Sequence, residues 1–208
     1  MLARGGRLAG VAACLLAGAA GAQTGALDSA VYVLADSSRF EVKTGKAGLF
    51  GFAGHEHLIR ARTFSGRVVY RPVSPSDSRI EITVPTDSLE VLTPPDTSEI
   101  RKVTEAMRTD VLHTDQYPAI EFVGTGVTAV EGGFRVVGRL TLAGTTREVS
   151  TDVRVQVGPD TLRATGGFDV KQTDFGIRPF RGGPGGTVRV ADRVRISFEV
   201  IALRTAGP

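Results

Sequence analysis

Among the side chains of this 208-residue sequence, the histidines His55, His57 and His113 are the best equipped for chemistry. His55 and His57 lie two apart in Gly54-His55-Glu56-His57-Leu58. On an extended strand that spacing puts both imidazoles on one face with Ile59 and Ala61. Glu56, Arg60 and Arg62 then occupy the other face. Two neighbouring imidazoles can chelate a transition metal, but two ligands fall short of a structural zinc site, and His113 is the obvious third. The reading preferred here has no metal and no cofactor: the pair lines a pocket and donates hydrogen bonds to the oxygen of a ligand head group. A metal-dependent enzyme or metal carrier centred on His55 and His57 is the alternative.

Other chemistry has little to stand on. The single cysteine is Cys14, near the start of the chain. There is no G-x-S-x-G elbow, no phosphate-cradling glycine loop and no dinucleotide fingerprint. Asp87, Asp96, Asp110, Asp115 and Asp174 stand beside turns or strand ends, where aspartate caps backbone groups. Arg178 and Arg181 flank Pro179-Phe180 in a glycine- and proline-rich loop, where solvation is the simpler role. The formal net charge of +3 is weak for a nucleic-acid binder. These side chains describe a binding protein, not an enzyme.

The elements that must position them are strands. Apolar residues fall on even positions in Arg39-Phe40-Glu41-Val42-Lys43, in 79–84 and in 193–200, and on odd positions in 148–157. Period-2 alternation gives each strand one dry and one wet face, as in antiparallel sheets. Further strands are expected at 58–70, 119–130, 133–143 and 161–174, with a bulge or turn near Thr63 where the apolar parity reverses. Gly132-Gly133, Ala143-Gly144-Thr145-Thr146 and Gly158-Pro159-Asp160 read as tight connections. One helix is expected from a Ser98 cap to Asp110, with Ile100, Val103 and Met107 on its apolar face. About eight one-sided strands and one short helix predict an all-β, single antiparallel eight-stranded barrel. Phe40, Val42, Phe122 and Phe198 would form its inner wall, with Met107 as an adaptable lid contact. Gly138 and Gly166 on the same faces would leave room in the bore.

Residues 1–22 read as a segment to be removed. Arg4 and Arg7 precede an apolar run from Leu8 to Ala20, and Ala20-Gly21-Ala22 offers a small-residue exit. That is the layout of a secretory signal peptide. Lipoprotein anchoring at Cys14 is the less favoured reading, since the apolar stretch between Arg7 and the cysteine is short. The mature chain would run from Gln23 to Pro208 in the periplasm or outside the cell, without a transmembrane span.

Five segments together resemble the YceI-like family of bacterial periplasmic and secreted proteins. They are Tyr32 to Val42 with Asp36 and Ser38, Thr63-Phe64-Ser65-Gly66-Arg67-Val68, Gln116-Tyr117-Pro118 running into Phe122, Gly138 to Val149, and Thr173-Asp174-Phe175-Gly176-Ile177. The resemblance spans about residues 31–202 and implies a lipocalin-like barrel that binds a polyisoprenoid or similar long amphiphile. On that reading the ligand-binding residues are Phe40, Val42, His55, His57, Met107, Phe122, Phe175 and Phe198. The partner is an isoprenoid-like lipid, not a nucleic acid, and the sequence leaves a homodimer open.

Overall fold

The alternating segments close into an antiparallel barrel in the computed structural model, which describes residues 29–47, 56–93, 97–182 and 188–205. His55, Asp96, Cys14 and the whole 1–22 segment lie outside these residues, as do residues 183–187 of the glycine-rich loop. The strands are β1 (Ala30–Leu34), β2 (Arg39–Ala47), β3 (Leu58–Ala61), β4 (Ser65–Tyr70), β5 (Arg79–Pro85) and β6 (Leu89–Val91). They continue as β7 (Ala119–Val130), β8 (Gly133–Leu142), β9 (Thr145–Val157), β10 (Thr161–Lys171), β11 (Arg181–Gly182) and β12 (Val188–Arg204). Helix α1 (Thr97–Ala106) runs into a wider turn of π type at Met107–Val111.

Strands β1, β4, β5, β7, β8, β9, β10 and β12 pair in that order, and β12 pairs back onto β1. Closure of eight strands is thus achieved, as the alternation predicts. The long β12 also carries β2 along its first half, and β3 and β6 follow β2. Three walls of the barrel are therefore broken strands: β1 with β2, β3 with β4, and β5 with β6. At the first break the Ser38 hydroxyl donates to Ile201 O (2.9 Å) and accepts from Ile201 N–H (3.0 Å). Ile201 O also accepts from Ala35 N–H (2.8 Å), so the hydroxyl bridges the break and gives the Ile201 N–H a partner there.

The second break departs from the expectation of one strand over 58–70. Residues 62–64 leave the sheet, and β3 and β4 pair with different neighbours. The parity reversal near Thr63 is this break. Strand β10 likewise ends at Lys171, short of the expected 174, because Gln172–Phe175 wind into a 3-10 turn. The helix begins at Thr97, so Ser98 lies within it and is not the residue preceding it. The β8–β9 connection matches its prediction: Ala143 (φ 46°) and Gly144 (φ 72°) are both left-handed, as a two-residue hairpin turn requires.

Strands β6 and β7 do not pair. Helix α1 and its following turn fill that side, where Met107 and Leu112 join Val84, Val91 and Leu140 in the buried cluster. Tyr32 and Ala202 are fully buried in a second cluster with Leu162 and Val200.

Candidate functional site

The barrel encloses a cavity of about 640 Å³, within the range of small-molecule sites. Its wall is built by strand parity. Strand β5 contributes Ile80, Ile82 and Val84, β8 contributes Phe134, Val136, Leu140 and Leu142, and β10 contributes Leu162, Ala164, Phe168 and Val170. Strand β12 adds Val194, Ile196, Phe198 and Val200. Along β7 the inward parity is even at Ile120 and Phe122, then odd at Val127, because a bulge between Gly124 and Gly126 shifts the register.

The wall residues expected from the sequence are on the cavity surface: Phe40, Val42, Phe122 and Phe198, together with Met107 from the helix end. Phe40 is braced by Phe64, their rings in edge-to-face contact with centroids 5.0 Å apart. Phe175 is not on the wall. It lies in the 3-10 turn beyond β10, fully buried among Val170, Ile177 and Val194, so it plugs the core and does not face the bore. Gly138 and Gly166 do not provide open space either. The ring of Phe122 covers Gly138, and the ring of Phe198 covers Gly166. Phe134, Phe168 and Phe180 also face the cavity. The even parity of β8 and β10 pointed to the first two, whereas Phe180 stands in the loop, where parity says nothing.

Thr44, His57, Gln172, Glu99, Lys102 and Arg189 border the cavity near α1 and the start of β12, and Glu41, Tyr70, Ser78 and Thr151 border it elsewhere. Lys102 and Arg189 are exposed, so the cavity reaches solvent between α1 and the start of β12. His57 is half-buried, and its Nδ1 lies 2.8 Å from Thr93 O. Its backbone is held on both sides: His57 N–H donates to Thr44 Oγ1 (3.0 Å), and Thr44 N–H donates to His57 O (3.0 Å). Gln172 Nε2 donates to Ala191 O (2.8 Å) in an irregular stretch of β12 between Val190 and Val194. Next to it Asp192 accepts from Thr173 N–H (2.9 Å) and Thr173 Oγ1 (2.8 Å). The Thr173 backbone hydrogen bond is the main reason that the Asp192 carboxyl titrates below the usual aspartate value.

His113 takes no part in this end. It is exposed, sits at φ 47° after the helical turn, and does not border the cavity. Among the described residues, no three His, Cys, Asp or Glu side chains gather as a metal site would need. Deeper in the wall, the buried Thr151 hydroxyl is satisfied by Gly167 O (3.2 Å). On the outer face Arg135 grips Asp152 and Arg195 meets Asp169, exposed pairs that contribute little individually. Arg60 grips Glu41 through two nitrogens in a half-buried pair, and Glu41 also borders the cavity. Among the described residues no helix is long and apolar enough to cross a membrane.

A family model for the YceI-like domain matches residues 34–202. No curated protein matches the chain. Solved structures do. BcnA from Burkholderia cenocepacia is 20% identical with a TM-score of 0.60, over 78% of this chain and 95% of that one. A polyisoprenoid binding domain from Saccharophagus degradans, implicated in plant cell wall breakdown, is 14% identical with a TM-score of 0.60, over 85% and 99%. The Campylobacter jejuni YCEI protein is 15% identical with a TM-score of 0.55, over 71% and 85%. At these identities the likeness establishes the fold.

Proposed function

The chain belongs to the YceI-like family, and from that membership we propose that it binds one long isoprenoid-like lipid inside its barrel. The observation that carries this reading is the cavity of about 640 Å³, lined very largely by apolar side chains of the strands. Leu162 and Val170 both face it from β10, roughly 26 Å apart along the strand at about 3.3 Å per residue. Such a space suits an elongated molecule. Each methylene buried contributes about 0.8 kcal/mol, so a tail of several prenyl units outweighs a substantial ordering cost. The likeness to a polyisoprenoid binding domain supports the same ligand class.

The reading is a carrier, not an enzyme. Among the described residues the wall is built of apolar side chains with few groups able to do chemistry, and its polar groups suit orientation of a head group. Residues 1–22 act as a signal peptide that delivers the mature chain to the periplasm or beyond. Organic extraction of gently purified protein, followed by mass spectrometry, tests the proposal. An isoprenoid-like lipid in the extract supports it. An empty extract, together with no uptake of added polyprenol, refutes it and leaves a barrel whose cavity serves some other purpose.

A further inference from the structure

We propose, resting on the lipid-binding reading above, that a slit in the barrel wall between β9 and β10 is a lateral portal for the ligand's tail, with Phe168 as its gate. Backbone pairing between these strands runs from Leu162 with Val157 to Gly166 with Val153 and goes no further. Among the described residues, 145–152 of β9 then pair only with β8, and 167–171 of β10 only with β12. The parted stretch is about four residues long, roughly 13 Å at about 3.3 Å per residue. A cleft of about 380 Å³ lies over it, with Arg147, Glu148 and Ser150 on one rim and Asp169 and Lys171 on the other. Phe168 and Val170 border both this cleft and the bore. Their side chains are the partition between outside and inside.

The frame of the slit is fixed and its gate is not. Phe175 also borders the cleft and is fully buried. Its turn is closed by Gly176 at φ 75° and pinned by Asp192 through Thr173. Where the strands begin to part, the Thr151 hydroxyl ties them by donating to Gly167 O (3.2 Å). Beyond that tie Phe168 is half-buried, and turning its ring opens a path without breaking a backbone ladder. The chemistry of the floor suits a tail. Val149, Phe168, Val170 and Phe175 line the cleft, so an apolar chain crossing it stays in apolar contact. The mouth beside α1 is bordered instead by Glu99, Lys102 and Arg189. Lys171 borders the cleft and Gln172 the mouth, so the slit opens beside the mouth, and a head held there lets its tail swing in from the side.

The test bridges the slit. Glu148→Cys with Lys171→Cys, in a Cys14→Ser background, puts one thiol on each exposed rim and none on the bore. Joining them with a cleavable bismaleimide should slow uptake of geranylgeraniol from phosphatidylcholine vesicles, and its release, by about tenfold or more, because a blocked gate limits both directions. Equilibrium occupancy should stay at the wild-type level, and a reductant that cuts the bridge should restore both rates. Phe168→Ala, which removes the gate, should quicken both severalfold. Rates that the bridge leaves unchanged, slowing that reduction does not reverse, or a Phe168→Ala protein that exchanges no faster would each overturn the portal while leaving lipid binding intact. Failure of the unbridged protein to take up the lipid would sink the lipid reading itself, and the portal with it.

Discussion

The ring of Phe198 lies on Gly166: the two residues face each other across β10 and β12, and Phe198 Cζ is 2.6 Å from where a Gly166 Cβ would stand. The glycine is therefore a seat for the aromatic wall. It lets a large ring lie flat against the sheet and leaves the bore free in front of it. Phe122 lies over Gly138 in the same way, reached diagonally across β7 and β8. Both pairs are aromatic rings covering strand glycines, a device that also fixes register.

Gly166→Ala should push the Phe198 ring off the wall and into the cavity. Overpacking of this kind costs about 1–3 kcal/mol, so the variant should fold with a lowered melting temperature. Its lipid occupancy should fall more steeply than its stability. Calorimetry beside quantitative lipid extraction checks the two effects separately. Unchanged occupancy would show that the ring does not move inward.

Phe122→Arg places a charge on the cavity wall, where burying it without a partner is costly. Arg195→Ala removes an exposed outer-face guanidinium that meets Asp169 at 3.2 Å, a contact worth little. The first substitution should strip lipid from the protein, and the second should leave it near the wild-type level. Equal effects would mean that the inner face is not the binding surface.

Much of this architecture is legible in the residues, and the misses share a cause. The β7–β8 hairpin announces itself through Gly132-Gly133 and the β12 wall through its even-numbered apolar residues, because both signals are local. The broken strands are less legible. The parity reversal near Thr63 announces an irregularity in 58–70, but only the pairing of β3 with β2 and β6 shows that it separates two strands with different neighbours. Gly138 and Gly166 look like empty space until their aromatic partners are known. Phe175 loses its parity in the 3-10 turn that follows β10. The placement of the His57 ring depends on Thr93, a partner 36 residues away.

Asp192 makes the end of the barrel near Gln172 sensitive to acid. Its folded-state carboxyl titrates below the unfolded value, chiefly because Thr173 N–H binds the charged form. The stabilisation is thus present above the unfolded value of about 3.9 and disappears as pH falls through the lower native value. Asp192→Asn should melt earlier than wild type at neutral pH, and the gap should close below about pH 4. Thermal melts across that range check the sign. A gap that widens in acid would contradict it.

The export reading predicts that protein recovered from its native compartment begins at Gln23. N-terminal sequencing decides. A lipidated start at Cys14 or an intact Met1 would contradict cleavage after Ala22.

The account's central claim is that the barrel holds one elongated lipid in its bore, and native mass spectrometry of the intact protein tests it most directly. Wild type should carry a mass increment equal to one isoprenoid-like molecule per chain, either as purified or after incubation with a polyprenol, and Phe122→Arg should lack it. A wild-type spectrum showing only the bare chain under both conditions would contradict the account.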